Sequence, residues 1–234
     1  MKVYNFKQFI RDLTLYFGNP FNLFDFSPQH QTLIELRPYK SVLHIGANIG
    51  QELSLYRYMN VEKVIWIEPD KEAFKKLKRR IKVYHKIDNR LINELITQFS
   101  SDKVTYYKFS QSGANSIYEP TEKFLQSKKK RYVTDAISIP SLNIEDALKK
   151  YDITFQGDNN LLVIDVQGGE LSVLRGFNVS TLLKFRVIMC ELSSGLYVNN
   201  TSPEVVKSFF LKLGYQEFLR PVRTSDDGIF LRIV

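Results

Sequence analysis

A glycine-rich segment follows an apolar run near the start of the chain, and an acidic residue follows the next such run. The segment is Gly46-Ala47-Asn48-Ile49-Gly50, directly after residues 41–45. Glycine permits positive φ and lets a ligand approach the backbone, and a helix that begins after such a turn offers free N–H groups. Glu68 ends the next apolar run, where a carboxylate can accept both hydroxyls of a ribose. These residues predict a site for a nucleoside-containing ligand.

The site residues lie where apolar runs meet helical patterns. Residues 41–45 and 63–67 flank a helix that ends near Met59, and Asp70 is a suitable N-cap for a second helix. A strand, a glycine turn, a helix and a second strand make a βαβ unit. In an open parallel sheet, ligands bind outside the carboxyl ends of the strands, so the glycine turn and Glu68 are expected at one edge.

The remaining patterns predict one α/β domain that ends in an antiparallel hairpin. Continuous apolar runs indicate buried parallel strands, and helical periodicity bounded by proline or glycine indicates helices. Helices are expected at 3–17, 30–36, 70–83, 144–151, 170–177 and 203–213, strands at 90–96, 103–109, 161–166, 185–192, 215–219 and 229–234, and a polar, basic segment at 118–132.

Composition agrees with a single folded domain. The chain has 234 residues, of which 44% are hydrophobic, enough for one full core. The one cysteine, Cys190, excludes an intramolecular disulfide and lies in an apolar run, so it is interpreted as a packing residue. The first residues have no signal-peptide pattern, and no apolar run approaches the roughly 20 residues of a membrane helix. We therefore expect a cytoplasmic location.

The formal charge of +8 favours an anionic environment. A nucleic acid, a nucleotide or phosphorylated sugar, an acidic glycan and peripheral contact with a membrane surface all satisfy this condition. The densest basic runs, 75–80 and 128–131, fit either a solvated surface or a patch that faces a substrate or a membrane. The charge alone does not distinguish a solvated surface from a patch that faces a substrate or a membrane.

Several segments together resemble the FkbM methyltransferase family. Residues 42–50 (VLHIGANIG) are similar to its first motif and residues 66–70 (WIEPD) to its second. The most specific segment, residues 162–176 (LVIDVQGGELSVLRG), resembles the signature K-I-D-V-E-G-x-E-x-x-V-L-x-G. Residues 112–116 (SGANS) look like the serine-rich loop of the family, and residues 139–146 (IPSLNIED) look like its V-x-T-L-D-D segment.

The resemblance implies a class I methyltransferase domain over residues 41–234, with residues 1–40 as an N-terminal helical extension. It implies a Rossmann-like, seven-stranded, mostly parallel sheet with helices on both faces and a C-terminal antiparallel hairpin. The methyl donor would be S-adenosylmethionine and the acceptor a hydroxyl of a sugar or a similar polyol. By position, Gly46, Asn48 and Gly50, with the intervening Ala47, would hold the methionine part of the donor and Glu68 its ribose.

Two positions depart from the family pattern. His44 replaces the usual aspartate, an acid that would face the amino group of the donor. A neutral histidine accepts a hydrogen bond but supplies no negative charge, and His44 also fits a buried histidine whose hydrogen bonds are satisfied within the protein. Gln167 replaces the usual glutamate and removes one carboxylate from the site.

Methyl transfer to a hydroxyl calls for a general base. Asp165 is the first candidate because it follows a buried strand and precedes the Gly168-Gly169 turn. Asp165 could instead cap the following turn, or it could bind the donor's amino group, which makes it a cofactor-binding candidate as well. Glu191, at the end of a strand, and Glu170, which can also cap its own helix, are the second choices.

Two other functions remain open. The positive charge also fits a ribose 2′-O-methyltransferase acting on RNA, although no K-D-K-E base set or aromatic stacking motif supports it. A non-catalytic binding module on the same fold would explain His44 and Gln167. Three scattered histidines and one cysteine give no metal-ligand pattern, so no metal site is expected, and the oligomeric state is left open.

Overall fold

The computed structural model describes residues 27–82, 86–126, 132–192, 195–198, 201–219 and 227–233. The helix predicted over residues 3–17 lies outside the described residues. Residues 27–40 contain one helix close to the predicted 30–36, and the division of the chain at residue 40 stays a prediction. The helices are α1 Pro28–Glu35, α2 Leu53–Tyr58, α3 Lys71–Ile81, α4 Glu122–Leu125, α5 Ile144–Lys150, α6 Glu170–Arg175, α7 Val179–Leu182 and α8 Pro203–Lys212.

Ten strands form two sheets in the described residues. They are β1 Ser41–Ile45, β2 Lys63–Ile67, β3 Asp88–Ile92, β4 Leu95–Ile96, β5 Ser101–Phe109, β6 Val133–Leu142, β7 Asn160–Ile164, β8 Phe185–Glu191, β9 Tyr215–Leu219 and β10 Asp227–Arg232. The larger sheet has the order β3-β2-β1-β7-β8-β10-β9. Strands β3, β2, β1, β7 and β8 run parallel, whereas β10 is antiparallel to both β8 and β9. The predicted seven-stranded sheet with a terminal hairpin is confirmed.

The central strands are buried on both faces. All five residues of β1 and of β7 are buried, as expected for continuous apolar runs in a parallel sheet. Since side chains alternate along a strand, Leu43 and Ile45 join one apolar cluster, which includes residues of α5, α6, α7 and α8. Val42 joins the other, with residues of α1, α2 and α3. Helices therefore cover both faces, and Cys190 is a fully buried packing residue, as predicted.

Two helix starts follow directly from the sequence. The side chain of Asp70 accepts hydrogen bonds from the N–H groups of Glu72 at 3.0 Å and Ala73 at 2.8 Å, which makes it the N-cap of α3. Pro203 occupies the first turn of α8, where its missing N–H costs no intrahelical bond. Both helices were predicted from these residues, and α3 begins next to Glu68.

A second, three-stranded sheet differs from the sequence prediction. Its order is β4-β6-β5, with β4 parallel and β5 antiparallel to β6. The single strand predicted over residues 90–96 is wrong, since β3 belongs to the large sheet and β4 to the small one. Strand β6 was not predicted because Pro140 lies within it and argues against an interior strand. The polar segment expected over residues 118–132 contains α4.

Candidate active site

The turn after β1 requires glycine at its first position. Gly46 has φ of +87° and Gly50 has φ of +71°, and Asn48 between them also lies in the left-handed region at +45°. A Cβ atom on Gly46 would overlap the carbonyl oxygen of Asp165. The N–H groups of Gly46 and Ala47 both donate to the carbonyl of Ile67 at 3.0 Å. The turn therefore ties the ends of β1, β2 and β7 closely together.

Glu68 faces this turn. One carboxylate oxygen, Oε2, accepts a hydrogen bond from the N–H of Asn48 at 2.7 Å, and Oε1 accepts one from the N–H of Asp70 at 2.8 Å. The side chain of Asn93 donates to the Glu68 carbonyl at 2.7 Å and fixes the end of β2. Burial raises the pKa of Glu68 to about 8. The carboxylate is thus held beside the glycine turn, where the sequence placed it.

A cavity of about 820 Å³, including its open mouth, separates the turn from the loops that face it. His44, Gly46, Asn48, Glu68 and Asp165 all line it, as expected of cofactor-binding residues. The other two residues predicted to bind the cofactor, Ala47 and Gly50, do not line the cavity. Ala47 is 1% exposed, and a Cβ on Gly50 would lie 2.6 Å from Leu77 of α3. The structure gives Ala47 and Gly50 a role in shaping the turn.

His44 is a buried, hydrogen-bonded histidine. Its Nδ1 atom is 2.9 Å from the hydroxyl oxygen of Tyr56, and its ring lies 5.6 Å from that of Trp66, centroid to centroid. Burial lowers the pKa of His44 to about 3, so the ring is neutral at physiological pH. It therefore does not supply the positive or negative charge that a donor-binding residue at this position could offer.

Asp165 and Glu191 are joined through Gln167. The Nε2 atom of Gln167 donates to Oδ1 of Asp165 at 2.6 Å and to Oε2 of Glu191 at 2.7 Å. The hydroxyl of Tyr197 lies 3.1 Å from Oε1 of Gln167, and the hydroxyl of Ser116 donates to its carbonyl at 2.7 Å. Gln167 has φ of +58°, so these contacts stabilise an uncommon backbone conformation. The glutamine aligns two carboxyl groups, of which Asp165 lines the cavity.

The two second-choice carboxylates lie away from the cavity wall. Burial and the charge of Asp165 raise the pKa of Glu191 well above its ordinary value, which favours its protonated form. Oε1 of Glu170 accepts hydrogen bonds from the N–H groups of Gly168 at 3.0 Å and Val166 at 3.3 Å. Glu170 therefore braces the loop between β7 and α6, and the catalytic role considered for these two residues stays a prediction.

Much of the cavity wall was not identified from sequence. Gly113 and Asn115, from the segment that resembles the family's serine-rich loop, were singled out only as part of that loop, and Gln167 only as a departure from the signature. Pro69, Val166 and Gly169 were quoted only as members of the family motifs. The others come from the loop after β1, from the residue that follows β3, from the second sheet and from the segment after residue 116: Gln51, Glu52, Glu94, Leu95, Ile96, Tyr106 and Ile117.

Two negative findings apply to the described residues alone. No helix within them is long and apolar enough to cross a membrane. No group of three or more histidine, cysteine, aspartate or glutamate residues in the same part of the chain is arranged to hold a metal ion.

The strand order, the glycine turn and the carboxylate at the end of β2 define a class I methyltransferase. Residues 44–217 match the sequence model of the methyltransferase FkbM domain. The chain therefore belongs to the FkbM methyltransferase family. Membership in this family confirms S-adenosylmethionine as the expected methyl donor.

Solved structures share the fold at low sequence identity. A methyltransferase FkbM from Methylobacillus flagellatus is 16% identical with a TM-score of 0.51, and the match covers 82% of this chain but only 43% of that one. An O-methyltransferase from Bacillus cereus, in complex with SAH, is 13% identical with a TM-score of 0.50 and coverage of 96% and 89%. The chain thus spans less than half the length of the first structure. No curated protein sequence matches the chain.

The buried carboxyl groups predict a stability that falls as pH rises. The pKa of Glu68 is raised to about 8 and that of Glu170 to about 7, from ordinary values of 4.5, mainly by burial. Between pH 4.5 and 8 the folded protein then binds more protons than the unfolded chain. The stability that these two groups contribute is fully present below about pH 4.5 and is lost as pH rises through 7 and 8. We expect the melting temperature of the ligand-free protein to fall by roughly 10–20 °C between pH 5.5 and 8.5.

A near-isosteric variant gives the control for this prediction. In Glu170→Gln the amide oxygen still accepts the hydrogen bonds of the loop but carries no charge, so the pH dependence should become shallower. Asp102→Asn, at an exposed position of β5, should leave it unchanged. A flat melting profile for the unsubstituted protein would contradict the prediction.

Proposed function

We propose that this protein is an S-adenosylmethionine-dependent O-methyltransferase that methylates a hydroxyl of a sugar. The observation that carries the proposal is the position of Asp165, which lines the same cavity as the Gly46 turn and Glu68. One wall thus provides groups suited to an adenosyl ligand, and the adjoining wall provides a carboxylate suited to accept a proton.

The cavity fits the donor on two structural grounds. Because Gly46 has no Cβ, the end of β1 can approach the backbone of Asp165 closely, and the turn, Glu68 and Asp165 then line one cavity. The Glu68 carboxylate, already oriented by two backbone N–H groups, retains lone pairs for the hydroxyls of a ribose. When bound, the donor supplies a methyl group on a positively charged sulfur atom.

The residues of the chain then have distinct tasks. Asp165 accepts the proton of the acceptor hydroxyl. At the same time the oxygen of that hydroxyl bonds to the methyl carbon, and the bond between this carbon and the sulfur breaks. Gln167 holds Oδ1 of Asp165 through a short hydrogen bond of 2.6 Å, so the carboxylate needs no reorientation. Alignment of acceptor, donor and base in one cavity can supply roughly 7–11 kcal/mol of the barrier reduction.

The polar lining supports a sugar as the acceptor. Asn115 and Gln167 carry amide groups, and Tyr106 carries a hydroxyl, among the residues that line the cavity with Asp165. Such neutral donors and acceptors are suited to the closely spaced hydroxyls of a sugar.

A transfer assay tests the proposal. The protein is incubated with donor labelled in the methyl group and with three panels: neutral saccharides, nucleotide sugars and RNA oligonucleotides. We expect label in at least one sugar, none in RNA, and none with heat-denatured protein. Labelled RNA without labelled sugar would replace the proposal with a ribose 2′-O-methyltransferase. Failure to bind the donor in calorimetry would favour a non-catalytic binding module.

A further inference from the structure

The first basic run of the sequence, residues 75–80, lies on α3. Leu77 and Ile81 hold one side of this helix in the apolar cluster that covers a face of the large sheet. The exposed residues of α3 and of its C-cap, together the basic face, are six cations and one acid: Lys71, Glu72, Lys75, Lys76, Lys78, Arg79 and Lys82. The basic face therefore has a formal charge of +5, whereas the whole chain has +8.

The cations of the basic face form a continuous row. Lys71, Lys75, Lys78 and Lys82 are separated by four, three and four residues, a spacing that places them on one side of a helix. Helix α3 has 11 residues, so the row extends over roughly 16 Å. Because the buried residues of α3 occupy the opposite side, the row projects away from the protein and forms a convex surface.

This charge pattern does not stabilise the helix itself. Like charges four residues apart destabilise a helix, and within the described part of the chain the basic face contains a single ion pair, Lys75 with Glu72 at 2.7 Å. Lys71 lies in the first turn, where the helix dipole disfavours a cation. Helix α5 has the opposite arrangement, with two acids in its first turn and two lysines in its last. The charges of α3 therefore favour a partner of opposite charge.

We propose that the basic face of α3 binds the surface of a lipid bilayer that contains anionic phospholipids. This inference goes beyond the proposed function, because it assigns a partner to a surface outside the cavity. Anionic headgroups attract clustered lysine and arginine residues within about a Debye length of the bilayer. A convex row of cations fits a flat, negatively charged surface, since several of its members reach that surface together.

The shape of the basic face favours a bilayer over RNA. Proteins that bind single-stranded RNA combine a basic groove with aromatic side chains on which the bases stack. The basic face is convex, and the large aromatic residues that are exposed in the described part, Phe99, Tyr132 and Phe218, lie outside α3. The apolar side of α3 is packed in the core, so the attraction to the bilayer is electrostatic and depends on salt.

The basic face begins beside the candidate active site. The N–H of Asp70, the N-cap of α3, donates to Glu68 at 2.8 Å, and Glu68 lines the cavity. Binding through α3 therefore brings the edge of the cavity that Glu68 forms close to the lipid headgroups.

Co-sedimentation of the full chain with vesicles tests the proposal. One set of vesicles contains phosphatidylcholine alone, and the other contains phosphatidylcholine with about 30% phosphatidylserine. We expect at least about tenfold tighter binding to the anionic vesicles at about 0.1 M salt. This binding should be lost at about 1 M salt, where the Debye length falls from roughly 10 Å to roughly 3 Å.

A triple variant tests the assignment to α3. Lys71→Gln, Lys78→Gln and Lys82→Gln together remove three cations of the row, and glutamine is as good a helix former as lysine. We expect an unchanged or slightly higher melting temperature and a loss of affinity for anionic vesicles of about 100-fold. If the triple variant does not fold, Lys76→Gln combined with Arg79→Gln replaces it, with an expected loss of about tenfold or more.

A second triple variant is the matched control. Lys103→Gln on β5, Lys123→Gln on α4 and Lys212→Gln on α8 remove the same number of exposed cations from three other elements. The net charge falls equally, but charges more than a Debye length from the bilayer contribute little. We expect the affinity of the control for anionic vesicles to change by less than about threefold.

Three results would overturn the proposal. Anionic vesicles may bind no more protein than neutral ones, or both triple variants may lose affinity equally, which would make the net charge of the chain responsible. Binding of RNA oligonucleotides that requires the cations of α3, without binding of vesicles, would assign the basic face to RNA instead. Calorimetry with S-adenosylmethionine is independent of all three results, so the proposed function is tested separately.

Discussion

Gly46→Ala is expected to destabilise the protein by about 4 kcal/mol or more and to abolish donor binding. The added Cβ would overlap the carbonyl oxygen of Asp165, a backbone atom that cannot rotate away. The residue also has φ of +87°, a conformation that costs a residue with a Cβ roughly 1–2 kcal/mol. Relief of the overlap would separate β1 from β7 and open the cavity wall. Urea unfolding and calorimetry with S-adenosylmethionine measure the two effects.

Gly214→Ala is the matched control for Gly46→Ala. Gly214 has a similar φ of +82°, but no atom lies within 4 Å of a Cβ built on it. This variant isolates the cost of the backbone conformation, roughly 1–2 kcal/mol, and should bind donor normally. Equal unfolding midpoints for the two variants would show that the close approach of β1 and β7 contributes nothing. If Gly46→Ala fails to fold while Gly214→Ala folds, the result agrees with the prediction.

The part of the site that sequence could predict depends on short-range patterns. The turn at residues 46–50, the N-cap Asp70 and the carboxylate at Glu68 each follow from a strand, a turn and a helix that are adjacent in the chain. Because parallel strands bring their carboxyl ends to one edge, Asp165 was also expected near the turn, although it lies far along the sequence. The structure places it in the same cavity.

The missing part of the site depends on long-range pairing. Tyr106 enters the cavity wall only because β5 pairs with β6, and β6 contains Pro140, which argues against an interior strand. Glu94 lies between β3 and β4, which the sequence joined into one strand. Leu95 enters the wall from β4, which pairs with β6. No local pattern in these segments indicates that a second sheet folds beside the carboxyl edge of the first.

Gln167 shows a different limit of sequence reasoning. The sequence identified it only as a departure that removes a carboxylate from the site. In the structure its amide donates to both Asp165 and Glu191, a pair of hydrogen bonds that a glutamate could not donate, because even a protonated carboxyl group has only one O–H. The substitution therefore replaces a carboxylate with a neutral group that orders the two neighbouring carboxyl groups. This role depends on tertiary contacts with Ser116 and Tyr197.

Asp165→Asn is expected to lower kcat for methyl transfer by about 10²–10⁴-fold, the usual contribution of a general base. The variant keeps an oxygen to accept the hydrogen bond from Gln167 but cannot take a proton from the acceptor. Initial rates with a sugar identified by the transfer assay give kcat and both KM values. Asp102→Asn should retain the original values, since Asp102 is exposed on β5.

The alternative role of Asp165, binding of the donor's amino group, predicts a different result. A positioning contact to the donor would raise its KM and leave kcat nearly unchanged, whereas loss of the base lowers kcat at saturating donor.

The pH dependence of the rate also separates the two roles of Asp165. Burial raises the pKa of Asp165, so the rate of the unsubstituted protein should fall as pH decreases and the carboxylate becomes protonated, and Asp165→Asn should lose this limb. A variant with full kcat and an unchanged acid limb would exclude Asp165 as the base and leave Glu191 and Glu170 as the next carboxyl groups to substitute.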